Sequence, residues 1–348
     1  MAHGRASRAA AYPEGMARSH LTLAALATAA VADLDVTRAS RHGSETGGDF
    51  DSALVDGRGG EHCIVRVPRS QRAEAEQSAD LVALRALSAG VRGRLSFDVP
   101  AYRGQAPIGR TRGIVYDVVP GEHLSISRLT ATSDLPTALG RAVAAIHSLP
   151  TSFVTDAGLI SHTPFEAMRS SAALVDRAAS TRLLPAALLE RWEAAIQDSV
   201  LWQFQPTVVN GSLDAGSVLV LGDTVSGVLG WHDLQVGDPA RDLAWLLGAP
   251  SPTAVDTAFD AYNTARGTSD HQLRHRATLY RELDLAKWLL HGTGTKNTSV
   301  VDDAVEMMTK LVDSLPGDRR AGIGSGSTAA LDVDGVEDLL EATERRHV

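Results

Sequence analysis

Residues 207–231, TVVNGSLDAGSVLVLGDTVSGVLGW, constrain the fold of this chain more than any other stretch. Runs of β-branched residues separated by loops rich in Gly, Ser and Asp read as strand, loop, strand. They interrupt a half of the sequence whose periodicity is otherwise helical. DLPTALGRAVAAIHSLP follows a Ser133/Asp134 cap signal and stops at Pro150, residues 164–198 read as one or two polar helices, and long helices run on to 315. The strands concentrate earlier. Residues 36–68 read as a meander containing SALV and CIVRV around the turn DGRGGE, with further strands expected near VPAY at 99 and GIVYDVV at 113. Between them, residues 71–89 read as a helix with Leu81, Leu84 and Leu87 on one face. Strands first, helices afterwards and one β-rich insertion describe an α+β chain of two lobes, not a parallel sheet fed by alternating helices.

Charge and composition narrow the function. A formal net charge of -9 argues against a nucleic-acid surface, which needs clustered Lys and Arg. Lysine occurs only at 287, 296 and 310, so no lysine in the first 286 residues can clamp a phosphate. Cys63, the single cysteine, lies in the apolar run CIVRV and reads as a buried core thiol, with no disulfide or Cys-based zinc site available. The run LTLAALATAAVA at 21–32 follows Arg5, Arg8 and Arg18 in the manner of a signal peptide. It is short, Ala-rich and leads straight into strand-like sequence, so it reads as a helix after a disordered extension, with Met16 as an alternative start and the cytoplasm as the compartment. No stretch reaches the length of a membrane span. HGSETGGD at 42–49 is a turn that can cover a phosphate or simply close a hairpin. GDRRAGIGSGSTAA reads as a linker, and 331–342 as a frayed acidic helix or a peptide that docks a protein partner.

Residues 207–246 carry a more specific signal, ending in GWHDLQVGDPARDLAWL. The segment resembles the catalytic and metal-binding region of the aminoglycoside and macrolide phosphotransferases: HGDxxxxN, a hairpin, a VIDW- or IDFG-like motif, then GDPxxDLA. Gly211, Gly216, Trp231, Gly237-Asp238-Pro239 and Asp242-Leu243-Ala244 fit that pattern, and CIVRVPR, AAIHSLP and DAGLISHTP extend the likeness over about residues 20–310. The macrolide branch is the nearest in pattern. The resemblance implies a protein-kinase-like fold with a β-rich nucleotide lobe at 19–122 and a helical lobe at 123–316, flanked by an extension at 1–18 and a linker and tail at 317–348.

Phosphoryl transfer depends on positioning and on neutralising charge, so magnesium ligands and a carboxylate that orients the acceptor hydroxyl are its essential parts. At those positions the resemblance places Ser212 for the base and Ser217 and Gly230 for the metal ligands, with Asn210 for the leading His. A hydroxyl is a poor base and glycine offers no side-chain ligand, which leaves magnesium short of anionic oxygen. Asp214 and Asp233 are the acids that could substitute, each also readable as a solvated loop acid. Asp238 and Asp242 are expected to brace the loop and cap the next helix. Arg66 stands at the basic position of the third strand, with Asp80, or Glu76, as its acidic partner and ATP or GTP as the implied nucleotide. His147 reads as a packed histidine. Three functions are compatible with this pattern: a degenerate binder of a nucleotide or small metabolite, an active small-molecule phosphotransferase with a rearranged metal site, and an interaction protein acting through its tail.

Overall fold

A computed structural model describes residues 18–43, 48–267, 270–315 and 323 of the chain. Residues 1–17 of the first extension, residues 44–47 of the turn at 42–49, the linker apart from residue 323 and the stretch 331–342 lie outside the described residues. The chain forms two compact units, one comprising residues up to Thr163 with Gln205–Asp270, the other Pro164–Phe204 with residues from His271.

In the first unit, α1 (His20–Ala30) begins at Ser19, whose hydroxyl accepts the Thr22 N–H at 3.1 Å. A five-stranded antiparallel sheet follows, in the order β1 (Val36–Arg41), β2 (Phe50–Gly57), β3 (His62–Pro68), β5 (Thr111–Asp117), β4 (Tyr102–Ile108). Alternation puts Ala53, Val55, Cys63, Val65 and Val67 on one face, where Leu23, Leu26 and Ala27 of α1 cover them. Cys63 is fully buried, and burial raises its thiol pKa, as expected of a core cysteine. Gly104 lets α1 come close, because a Cβ there would run into the Ala30 carbonyl.

The strand expected near 99 starts instead at Tyr102. The carbonyls of Val99 and Pro100 are taken by the Arg92 guanidinium at 2.8 and 3.0 Å, and Pro100 has no N–H to offer a ladder. The 71–89 helix divides into α2 (Gln71–Ala86) and the single turn α3 (Ala89–Arg92), with Leu81, Leu84 and Leu87 buried.

The β-rich insertion is not one hairpin. β8 (Val218–Leu221) and β9 (Thr224–Val228) form the hairpin, extended by β6 (Glu122–His123), whereas β7 (Thr207–Val209) pairs with β10 (Gln235–Gly237). The loops after β7 and β9 are therefore anchored at both ends. Below them lie α4 (Leu135–His147), the short α5 (Ser152–Asp156), a 3₁₀ segment at Pro239–Gly248, and α8 (Pro252–Arg266), which packs on α4. The second unit is a helical cluster of α6 (Pro164–Ser180), α7 (Ala186–Gln197), α9 (Leu273–Thr295) and α10 (Thr298–Ser314). Its core includes Leu188, Trp192, Leu279 and Met308, and Glu282 there accepts from Arg191 and from the Trp192 indole, each at 2.9 Å. The mixed α and β composition with an antiparallel sheet agrees with the fold class read from the sequence. No described helix is long and apolar enough to cross a membrane.

Candidate functional site

The loop after β7 is fixed from below by one carboxylate. Asp242, fully buried in the 3₁₀ segment, accepts the backbone N–H of Asn210 at 2.7 Å and that of Gly211 at 2.8 Å. The same carboxylate lies 3.2 Å from His147 Nε2, while His147 Nδ1 lies 2.9 Å from the Tyr262 hydroxyl. This chain, Tyr262 to His147 to Asp242, satisfies buried polar groups that would otherwise be costly. His147 is thus a packed histidine with a bracing task. Asp238 caps the 3₁₀ segment, its Oδ1 accepting the Ala240 N–H at 2.9 Å. Gly211 has φ +84°, and a Cβ there would press into the Asp233 carbonyl. Gly211→Ala is expected to cost about 1–3 kcal/mol of stability, measured by chemical denaturation; an unchanged midpoint would show that the loop can re-form without this backbone conformation.

Above the brace, the loop side chains bind one another. Asn210 Nδ2 donates to the Gly230 carbonyl at 2.9 Å, and Asn210 Oδ1 accepts the Ser212 N–H at 3.1 Å. The Ser212 hydroxyl lies 3.2 Å from both Asn210 Oδ1 and the Gly230 oxygen, and its single hydrogen can serve one of them at a time. Gly230 itself has φ +65° with nothing within 4 Å of the place a Cβ would take. The next peptide is held from α2, where Asp80 Oδ1 accepts the Trp231 N–H at 2.7 Å. Burial raises the Asp80 pKa, and the Trp231 N–H, Arg66 and His232 oppose that rise.

The two possible substitute acids are differently engaged. Asp214 forms a reciprocal cap with Ser217: its Oδ1 accepts the Ser217 N–H at 2.7 Å, and its own N–H reaches Ser217 Oγ at 2.9 Å. The Ser217 hydroxyl also donates to the Asp214 carbonyl at 2.8 Å. Asp233 is exposed and sits 4.0 Å from His232 Nε2. Among the described residues no group of three or more His, Cys, Asp or Glu side chains is placed to hold a metal ion. Magnesium takes carboxylate oxygen, usually with substrate phosphates. Here Asn210, Ser212 and Gly230 offer an amide, a hydroxyl and a carbonyl already in mutual hydrogen bonds, so carboxylate oxygen comes only from Asp214, whose Oδ1 holds the Ser217 N–H, and from the exposed Asp233.

Arg66 projects from the sheet face opposite α1. Its guanidinium lies 4.0 Å over the Phe50 ring, and among the described residues no carboxylate is within ion-pair distance. Its charge still acts on Asp80, but Asp80 spends its close hydrogen bond on Trp231, while Glu76 pairs with Arg72 at 3.6 Å. Sequence reading missed the Asn210–Gly230 link and the Tyr262 contact. It also missed the Asp214–Ser217 cap, for which the local D-x-x-S spacing is the signal that could have found it.

Comparison with known proteins follows this geometry. The family model described as "Phosphotransferase enzyme family" matches residues 9–280. The macrolide 2'-phosphotransferase MphH from Brachybacterium faecium, solved as the apoenzyme, has 24% sequence identity and a TM-score of 0.69, covering 82% of this chain and 97% of its own. The GDP and kanamycin complex of APH(2")-IIia has 18% identity and a TM-score of 0.68, covering 85% and 100% of the two chains. Both likenesses are of fold. The uncharacterized protein YcbJ of Bacillus subtilis (strain 168) is 23% identical over 208 residues, 57% of this chain and 67% of that protein.

Proposed function

Because this chain belongs to the phosphotransferase enzyme family, we propose that it binds a nucleotide or small metabolite and carries out little or no phosphoryl transfer. One observation supports this reading above others. The Gly230 carbonyl is engaged by Asn210 Nδ2 and approached by the Ser212 hydroxyl, so the two loops that would present a base and metal ligands are tied to each other. A phosphate-proximal site built this way lacks the carboxylate that orients an acceptor hydroxyl and the one that carries a divalent ion. Ligand recognition does not depend on either. A similar fold solved with GDP and kanamycin supports nucleotide and small-molecule ligands as the classes to test.

Thermal shift with ATP and with GTP, each with and without magnesium, is the direct test. A rise in Tm with at least one nucleotide, the same size without magnesium, is expected. Arg66→Ala should then weaken that binding by roughly 1.5–3 kcal/mol, the range for a charge-assisted hydrogen bond. Stabilisation that appears only with magnesium would favour the rival reading, an active phosphotransferase in which Asp214 and Asp233 hold the ion. For that rival, Asp233 supplies the one exposed carboxylate on the loop after β9.

A further inference from the structure

In the second unit, α9 and α10 form a helical hairpin whose outer seam exposes large apolar side chains. Lys296, with φ +54°, and Asn297 make the turn, and Asn297 caps α10 by accepting the Val300 N–H at 3.4 Å. Gly292 lets the helices close up there, since a Cβ would meet Val300 and Val301 at 2.9 Å. Farther from the turn, the Trp288 indole N–H donates to Asp303 Oδ2 at 2.8 Å, which sets those two residues level across the seam. Met307 lies one turn beyond Asp303 on the same side of α10. Trp288 is 38% exposed and Met307 43%, while Leu289, Ala304 and Met308 of the same helices are buried in the core. The indole N–H already has its acceptor and the ring stacks on His291 at 5.4 Å, so covering Trp288 would strand no donor.

The two rims of the seam carry complementary groups. On α9 the exposed Arg281 and His291 are donors; on α10 the exposed Asp302 and Asp313 are acceptors. Among the described residues none of these four has an ion pair, whereas Lys287 pairs with Asp284 and Lys310 with Glu306 inside their own helices. Antiparallel helices rise about 1.5 Å per residue. Counted from the Trp288–Asp303 and Gly292–Val301 contacts, Arg281 is within a turn of the level of Asp313, and His291 within a turn of Asp302. A second copy turned about a two-fold axis along the hairpin lays α9 on the partner's α10 at the same level. Each donor then meets a carboxylate, with Trp288 and Met307 packed between them.

We propose that the α9–α10 seam is the face through which two copies of this chain associate, with Trp288 and Met307 at its centre and Arg281 and His291 of each copy reaching the partner's Asp313 and Asp302. Charge selects the occupant. A face with donors on one helix and carboxylates on the other is complementary to itself, whereas an acidic partner, the chain's own segment 331–342 included, would meet the carboxylates of α10. Trp and Met are also enriched at the centres of protein interfaces. Size sets the strength. The 17 residues of α10 span roughly 25 Å, and two helices abreast are roughly 20 Å across. Two such faces together bury roughly 1,000 Å², at the threshold for a specific interface. Association is therefore concentration-dependent, in the micromolar range and not the nanomolar. It is independent of what the first unit binds.

Sedimentation velocity of the full chain from about 1 to 200 μM should show monomer giving way to dimer. Trp288→Ala should weaken association by about 30-fold, as for an aromatic side chain at an interface centre. Arg281→Glu and Asp313→Arg should each weaken it by about tenfold, and the two combined should restore it. Damage to the fold cannot mimic that rescue. A chain that stays monomeric throughout would overturn the proposal, including the case in which segment 331–342 covers the seam from within the molecule. A dimer indifferent to Trp288→Ala, or a combined variant as weak as its parents, would put the interface elsewhere and overturn it as well.

Discussion

Asp242→Ala is expected to remove about 3–5 kcal/mol of folding stability, a large share of the total a domain possesses. The carboxylate accepts two backbone N–H groups, Asn210 and Gly211, and contacts His147 Nε2, all without solvent to replace it. Removing it leaves those donors buried and unpaired, and each such group costs about 1–3 kcal/mol. Tyr262 would lose its place in the chain as well, although its hydroxyl can still reach His147 Nδ1. Burial already holds the Tyr262 phenol above its ordinary pKa, so ionisation offers it no escape. Asp242→Asn should cost less, because one amide oxygen can keep one of the two N–H groups. Denaturant unfolding of the three proteins gives the comparison. A loss below about 1 kcal/mol in Asp242→Ala would mean that the loop is held elsewhere.

The second large effect concerns turnover. Losing an orienting base costs a factor of about 10² to 10⁴, and a missing metal ligand adds to it. Transfer of phosphate from ATP or GTP by the native chain is therefore expected at background level. Asp214→Ala and Asp233→Ala should leave it there, since the Asp214 carboxylate is spent on the Ser217 N–H. The informative partner is a variant combining Ser212→Asp, Ser217→Asn and Gly230→Asp, which restores the residue types of the family pattern. It carries known costs. A side chain at Gly230 meets no steric obstacle within 4 Å, but φ +65° costs a non-glycine residue about 1–2 kcal/mol. Ser217→Asn also breaks the reciprocal cap. Activity appearing only in that variant is the result this reading expects. Robust native activity that vanishes in Asp214→Ala or Asp233→Ala would reverse it in favour of a rearranged enzyme.

Local pattern carried much of this structure into view. The alternation in CIVRV places Cys63, Val65 and Val67 on one face, and the leucine spacing marks α2. The Gly-Asp-Pro run announces a cap, and Asp238 provides it. These features depend on residues a few positions apart, where spacing alone decides which side chains share a face. The limit of that rule shows in the 207–231 segment, where β8 and β9 form the expected hairpin but the partner of β7 could not be read. Two β-branched runs near each other suggest a hairpin, but β7 pairs with β10, a strand whose sequence is only three residues long. So short a strand has no periodicity to read.

By itself, the sequence determined the fold class, the family and the residue types that stand in the loops, because residue types and short spacings fix which groups are present at all. Only the tertiary structure decided what those groups do. Asp80 binds the Trp231 N–H rather than Arg66, across 151 residues of chain. His147 joins Asp242 to Tyr262. Each of these is a competition among partners distant in sequence, settled by strand register, helix packing and the cost of leaving a buried donor unpaired. A spacing rule reaches one turn or one strand and no farther, so the choice of partner becomes visible only when the chain is folded.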